Sequence, residues 1–145
     1  MSNYKFFDHT ADIGVEISGR IKKELFANAA SALLDVLIEN NDSKNKSAAK
    51  TQKRQKTVTV QGADLEELLI NFLRELLYLF NGVHWVVSHC TILECGNQNL
   101  KAQLTGEPFN QNKYSIKTEI KAVTYSGVNV EKQKLGWKAR VIFDV

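Results

Sequence analysis

The sequence predicts an α+β protein: a two-layer sandwich in which two helices pack on one face of a mixed or antiparallel sheet. Two helical patterns come early in the chain, and the second half contains strand-like segments separated by turn residues. The length of 145 residues fits one domain with its own core, and no repeat or low-complexity tract divides it. We therefore expect a single domain over residues 1–145.

The first two elements follow from the spacing of apolar residues. A strand is predicted over Tyr4–Ser18, because apolar residues alternate with small or polar ones from Ile13 to Ile17. A helix is predicted over Lys22–Ile38, where apolar residues recur at steps of three and four. The polar run 40–43 ends this helix and begins a loop.

The second helix carries the clearest signal in the chain. Asp64 is a favourable N-cap, and Glu67 follows it three residues later, as in a capping box. A continuous apolar stripe then runs from Leu65 to Phe80. The Asn-Gly pair at 81–82 is typical of a helix end.

Short segments rich in β-branched and aromatic residues predict the remaining strands. Turns are expected at 97–99 and at Gly127, and Pro108 is expected in a loop over 106–112. The predicted strands are Thr57–Gln61, Trp85–Cys95, Leu100–Thr105, Tyr114–Tyr125 and Leu135–Phe143.

Basic residues are concentrated in a loop predicted over about 40–56. Outside residues 44–56 the chain has 13 basic and 16 acidic residues, so that remainder is mildly acidic although the net charge of the whole chain is +3. The loop reads as a solvated linker or as a contact for RNA or an acidic partner, although it has no aromatic residue for base stacking. Its six basic residues, with no acid among them, are Lys44, Lys46, Lys50, Lys53, Arg54 and Lys56.

Several classes of protein are excluded by composition. Cys90 and Cys95 are too few for a disulfide framework and lack zinc-ligand spacing, which favours reduced thiols in the cytoplasm. No signal peptide is recognisable, and no apolar stretch reaches the roughly 20 residues of a membrane span. Gly-rich phosphate loops and nucleophile elbows are also missing from the sequence. We expect a cytoplasmic protein without membrane contact.

Carboxylates stand in the strand-like segments at both ends of the sequence. Asp8, His9 and Asp12 lie near the start, and Asp144 closes the last predicted strand. If the two strands are neighbours, these acids converge and require a cation, with Val145 supplying a further oxygen ligand. Oxygen ligands suit Ca²⁺, Mg²⁺ or Mn²⁺ equally. Turn capping near the start and a solvated acid at the end are the simpler alternatives.

The predicted strand Tyr114–Tyr125 carries charges that bear on this site. Lys117, Glu119 and Lys121 alternate along it and share one face. They form cross-strand ion pairs on a solvated face, or else Glu119 and Lys121 line the acidic site and tune its charge.

The run Phe7–Gly14 (Phe-Asp-His-Thr-Ala-Asp-Ile-Gly) resembles the N-terminal signature of the archease family. Four further blocks agree with that family in order and spacing, so the resemblance covers essentially the whole chain. These blocks are 24–30, 64–79, 119–125 and 141–145.

The resemblance implies a non-enzymatic activator of the RtcB-type RNA ligase, which joins RNA halves in tRNA splicing and RNA repair. Archeases promote guanylylation of the ligase's active-site histidine and sustain multiple turnover. The resemblance also implies a small acidic metal site, whose ligands fall on Asp12, Asp144 and the backbone of Val145.

Asp8, His9 and Lys121 match neighbouring family positions. The chain departs from the family at Ser126, where a histidine commonly follows the Lys-Ala-Val-Thr-Tyr block, and at a second histidine position within 112–114. If those histidines recognise the ligase or the metal, this member differs in affinity or in ion preference.

Two other functions stay open on the residues alone. The first is a metal-dependent hydrolase that uses Asp8, His9, Asp12 and Asp144, which would need a general base and an open coordination position. The second is an RNA-binding module that acts through the basic segment 44–56.

Overall fold

A computed structural model describes residues 3–9, 12–41 and 53–145, with Asp8 and His9 described by their backbone only. Within these ranges the chain forms two helices and nine strands, and all strand pairs are antiparallel. The predicted α+β class is therefore confirmed. Among the described residues, no helix is both long and apolar enough to cross a membrane.

The elements are named in chain order. The helices are α1 (Lys22–Leu37) and α2 (Leu65–Asn81). The strands are β1 (Tyr4–His9), β2 (Asp12–Gly19), β3 (Ile38–Asn40), β4 (Arg54–Gln61), β5 (Trp85–Cys95), β6 (Asn99–Pro108), β7 (Tyr114–Ile116), β8 (Ala122–Gln133) and β9 (Gly136–Asp144).

The strands form three sheets. A four-stranded sheet has the order β1-β2-β9-β8, a three-stranded sheet has the order β4-β6-β5, and β3 pairs with β7. Both helices contact both larger sheets: α1 packs on β2 and β5, and α2 packs on β8 and β5. The core lies where these elements meet, and the fully buried rings of Phe26 and Phe72 join the two helices at a centroid distance of 6.1 Å.

The predicted beginning of α2 is confirmed in atomic detail. The Asp64 carboxylate accepts a hydrogen bond from the backbone N–H of Glu67 at 2.8 Å. The Glu67 carboxylate in turn accepts one from the backbone N–H of Ala63 at 3.1 Å. These two bonds satisfy N–H groups at the helix start that have no partner within the helix.

The prediction of one strand over Tyr4–Ser18 is wrong. The segment is a hairpin of β1 and β2, in which His9 lies opposite Asp12. The two residues that join the strands are Thr10 and Ala11, which lie outside the described residues. Neither is a typical turn former, so the sequence carried no local signal for the break.

The prediction of one strand over Tyr114–Tyr125 is also wrong. The backbone N–H groups of Lys117 and Thr118 donate to the carbonyl of Leu37 at 2.8 and 3.4 Å. Ile120 is fully buried. The segment 117–121 therefore crosses the end of α1 and separates β7 from β8.

The expected charged face over this segment does not form, because residues 117–121 are not in a strand. Lys117 instead pairs with Asp35 of α1, with 3.8 Å between the side-chain nitrogen and oxygen. The side chains of Glu119 and Lys121 are exposed in the same irregular segment.

Three smaller predictions need correction. Gly127 lies within β8, where its φ of +75° accompanies a shift in pairing register, and is not at a turn between strands. Pro108 ends β6 instead of lying in a loop. The loop predicted over 40–56 falls mainly on residues 42–52, which lie outside the described residues, and its last residues from Arg54 onward belong to β4.

A buried charged cluster joins β6 to β7. Glu107 is fully buried, and one of its carboxylate oxygens accepts hydrogen bonds from the Tyr114 hydroxyl and from the Lys113 ammonium, the latter at 2.6 Å. Its other oxygen has no partner among the described residues. Burial raises the pKa of Glu107, but the hydrogen bonds from Lys113 and Tyr114 and the charges of Lys113 and Lys53 outweigh burial, so this pKa lies below its ordinary value.

We expect Lys113→Met to lower the free energy of unfolding by about 3 kcal/mol at neutral pH, because it leaves a buried carboxylate without its cation. The depressed pKa of Glu107 stabilises the fold above the unfolded pKa, and this contribution is lost as the pH falls through the folded pKa. The deficit of the variant should therefore shrink in acid. Urea unfolding at neutral and acidic pH measures both effects.

Lys117→Met is the matched control, since the Lys117 side chain is 51% exposed in its pair with Asp35. It should lower the free energy of unfolding by less than about 1 kcal/mol. Equal losses for the two variants would contradict the importance of the buried cluster.

Candidate metal centre

Asp12 and Asp144 lie directly opposite each other in the pairing of β2 with β9. Residues that face each other in antiparallel strands have Cβ atoms roughly 4.5–5.5 Å apart, on the same side of the sheet. The same transverse row continues to His9 on β1 and to Ala122 on β8. The two carboxylates therefore share one end and one face of the four-stranded sheet.

The backbone around Asp144 is held in place. Its carbonyl oxygen accepts a hydrogen bond from the backbone N–H of Lys121 at 2.7 Å. Val145 is half-buried and packs against the core, while the Asp144 side chain is exposed and Asp12 is half-buried. The acids are thus fixed by ordered strands, and solvent reaches them.

An aromatic ring covers the sheet beside the acids. Phe7 lies opposite Gly14, and a side chain at Gly14 would overlap the Phe7 ring. The Arg140 guanidinium stacks on the same ring, 4.4 Å from its centroid. Sequence reasoning missed this arrangement, although a glycine inside a strand indicates a close approach of this kind.

The supporting residues predicted from the sequence fall at different distances from the row. The register places His9 opposite Asp12 and Asp8 opposite Ile13, one position out of the row. Lys121 adjoins Asp144 through its backbone hydrogen bond, and Glu119 lies two residues before it in the same irregular segment.

The donors present fit a hard cation. Among the described side chains, which do not include those of Asp8 and His9, no three from His, Cys, Asp or Glu are close enough to hold a metal by themselves. Asp12 and Asp144 offer two carboxylates, and backbone oxygens of the last strand lie beside them. A hard ion that keeps several waters, such as Mg²⁺, or one with flexible coordination, such as Ca²⁺, suits such a partial set.

A pocket of about 410 Å³ opens near the acidic end, between β1, the end of α1 and the segment 117–121. Its wall is mostly apolar, and the Asp35–Lys117 ion pair lies at its edge. It is lined by Phe6, Phe7, Ile13, Asp35, Val36, Lys117 and Thr118.

The histidines with described side chains lie away from the acidic row. His84 stands between α2 and β5, and His89 lies within β5 of the three-stranded sheet. The strand β5 is not part of the sheet that carries Asp12 and Asp144.

Residues 4–145 match the family model of the Archease protein family (MTH1598/TM1083). Proteins named archease from Methanosarcina acetivorans and Methanosarcina barkeri are 38% and 35% identical, over 98% of this chain and 95% of theirs.

The fold is similar to two solved structures. One is the solution structure of Methanobacterium thermoautotrophicum protein 1598, with a TM-score of 0.72 and 26% identity over 100% of both chains. The other is the crystal structure of an archease, described as a possible chaperone, from Thermotoga maritima. It has a TM-score of 0.66 and 27% identity, over 97% of this chain and 96% of that one.

We expect Asp144→Asn to raise the free energy of unfolding by about 0.2–1 kcal/mol in excess chelator, because like charges directly opposite in a sheet repel. Urea unfolding measures the change. Glu131→Gln is the matched control near the other end of β9, where Glu131 of the neighbouring strand β8 lies opposite Lys138. This substitution removes the attraction between Glu131 and Lys138 and should lower the free energy of unfolding slightly. If the two variants change the free energy of unfolding in the same direction, the acids do not repel each other.

Proposed function

The chain belongs to the archease family, and on that premise we propose that it is a non-enzymatic activator of an RtcB-type RNA ligase. It would promote guanylylation of the ligase histidine and multiple turnover, in tRNA splicing and RNA repair. In this proposal a divalent cation is held by Asp12, Asp144 and the backbone of Val145.

The observation that carries the proposal is the placement of Asp12 opposite Asp144. Like charges directly opposite each other in a sheet repel, and a cation between two carboxylates turns that repulsion into attraction. Here they stand at one end of the sheet, with the Asp144 side chain exposed, so that a cation from solvent can reach them.

The residues of this chain would position the cation for use by the partner. The hydrogen bond from Lys121 fixes the carbonyl of Asp144, and the β2–β9 ladder fixes the spacing of the two acids. A bound divalent ion supplies positive charge, and it can polarise the phosphate oxygens of a nucleotide. The acidic end would therefore border the nucleotide-binding cleft of the ligase.

The apolar pocket near the acids supports a role in contacting another protein. Phe6 is 43% exposed on β1, which is an edge strand of its sheet. An exposed aromatic residue beside a concave apolar wall is a favourable anchor for a partner side chain.

An accessory role agrees with the description of a solved relative. A metal-dependent hydrolase would need a general base near the metal. His84 and His89 belong to another part of the fold, which leaves His9, opposite Asp12 in the strand register, as the histidine that a hydrolase would use. The relative from Thermotoga maritima is described as a possible chaperone, which is also a non-enzymatic role.

Cation binding should stabilise the fold by mass action. Ca²⁺ at a hundredfold excess over its dissociation constant should add about 2.7 kcal/mol to the free energy of unfolding. A thermal-unfolding titration of chelator-treated protein measures it, with Mg²⁺ and Mn²⁺ in parallel. Asp12→Asn should abolish the shift and Glu131→Gln should retain it; no shift with any of the three ions would contradict the metal site.

The activating role predicts an effect on the ligase. With ligase, GTP and a divalent metal, the protein should accelerate ligase guanylylation over several turnovers, followed by the mass of the intact ligase. Asp12→Ala and Asp144→Ala should reduce this acceleration by about tenfold, a loss of about 1.4 kcal/mol, because the cation is no longer held. Glu131→Gln should act like the unchanged protein.

Three outcomes would contradict different parts of the proposal. If the unchanged protein does not accelerate guanylylation, the activating role is wrong. If both Ala variants accelerate it fully, the acids have no part in it. Hydrolysis of generic phosphoesters by the protein alone, lost in Asp12→Ala, would favour the metal-dependent hydrolase instead.

A further inference from the structure

The end of the four-stranded sheet opposite the acids is strongly basic. β2 ends at Gly19 and β9 begins at Gly136, so segments 20–24 and 131–138 lie together at this end. We call these two segments the basic end. They contain two acidic residues and six basic residues, which are Arg20, Lys22, Lys23, Lys132, Lys134 and Lys138.

Trp137 lies at the centre of the basic end. The register places it between Gly19 on β2 and Lys132 on β8. The Lys22 ammonium lies 6.0 Å from the centroid of its ring. Trp137 is only half-buried, so part of this large aromatic side chain remains accessible.

The two acids of the basic end are already engaged. The Glu24 carboxylate pairs with Arg20 at 3.3 Å. Glu131 lies opposite Lys138 and accepts a hydrogen bond from the Gln133 side chain at 3.0 Å. Two acids against six basic residues leave a clear excess of positive charge at this end.

Two surface pockets flank Trp137, and their charges differ. The first, of about 340 Å³, includes Arg20, Lys138 and the Glu24 carboxylate that pairs with Arg20, so one positive charge remains in excess. The second, of about 660 Å³, includes Asp64 and Glu66. An anionic ligand that reaches the Trp137 ring would therefore approach from the side of Arg20 and Lys138.

We propose that the basic end binds single-stranded RNA, with its lysines on the phosphates and Trp137 against a base. A positive groove with an aromatic platform is the usual arrangement for sequence-tolerant binding of single strands. Leu135 at the tip of the β8–β9 hairpin is 93% exposed and extends the apolar surface next to Trp137. The half-buried aromatic ring favours RNA over an acidic peptide, because an RNA base can stack on the ring whereas an acidic peptide would be bound by the basic side chains alone.

This site is independent of the proposed cation site. The eight residues of β2 separate Asp12 from Gly19 by about 23 Å at roughly 3.3 Å per residue. RNA at the basic end would stay clear of the acids, which would repel its phosphates. The site also differs from the segment 44–56 considered as an RNA contact on sequence grounds. If RNA does not bind at the basic end, the proposed role in ligase activation is therefore unaffected.

The test compares two triple variants that lose the same charge. Binding of a fluorescein-labelled oligouridylate is followed by anisotropy at several salt concentrations. Lys132→Gln/Lys134→Gln/Lys138→Gln should weaken binding by about tenfold or more and should reduce the slope of log affinity against log salt by about 2. Lys44→Gln/Lys46→Gln/Lys50→Gln should stay close to the unchanged protein.

A second readout reports the aromatic contact without any change to the basic residues. In Trp85→Phe protein, Trp137 is the remaining tryptophan. Its fluorescence should be quenched by oligouridylate, through stacking, and unaffected by polyglutamate.

Three outcomes would overturn the proposal. The first is no oligouridylate binding by the unchanged protein. The second is equal weakening in the two triple variants, which would mean non-specific attraction to the whole molecule. The third is binding without quenching and with equal competition by polyglutamate, which would identify the basic end as a contact for an acidic protein.

Discussion

The antiparallel pairing of β2 with β9 is the constraint on which the rest of the structure depends. It joins the first part of the chain to the last and runs from Asp12 opposite Asp144 to Gly19 opposite Trp137. Ile13, Val15 and Ile17 contribute one buried or half-buried apolar row, and Phe143, Val141 and Ala139 contribute the facing one. Because side chains alternate along a strand, burying these rows against the helices forces the acids onto the other face. A register slip of one residue would put the acids into the core and the apolar rows into water, so the packing of the core itself protects the geometry of the site.

The same pairing gives the four-stranded sheet two electrically different ends. Carboxylates collect where β2 begins and β9 ends, and basic residues collect where β2 ends and β9 begins. One ladder of backbone hydrogen bonds therefore sets both the spacing of the acids and the distance between the acids and the basic end. The cation and the RNA that we propose as ligands would therefore bind at opposite ends of one sheet, without contact between them.

The two positions where the resemblance to archease leads us to expect a histidine have different surroundings. Ser126 is exposed in the part of β8 where the pairing register shifts, and its backbone N–H donates to the Thr124 hydroxyl at 3.1 Å. In the range 112–114, Tyr114 is buried and donates to Glu107. A change at the second position thus acts on the attachment of β7 to β6, whereas a change at the first acts on an exposed surface. Both positions belong to segments that flank 117–121, which leads into the backbone contact with Asp144.

Local patterns in the sequence were sufficient for the helices, for the cap of α2 and for strands such as β5, because each depends on neighbours a few residues away. The acids themselves, and the resemblance of Phe7–Gly14 to archease, were also readable from the chain. The sequence missed the break between β1 and β2 and the crossing of 117–121 over α1, since neither has a turn signal and both depend on contacts with distant residues. Only the tertiary structure decided that Asp12 faces Asp144, that Phe7 covers Gly14, and that Arg20, Trp137 and Lys138 line one pocket. The physical reason is that β2 and β9 lie more than a hundred residues apart along the chain, and their register is chosen by the burial of a shared core, which no local pattern records.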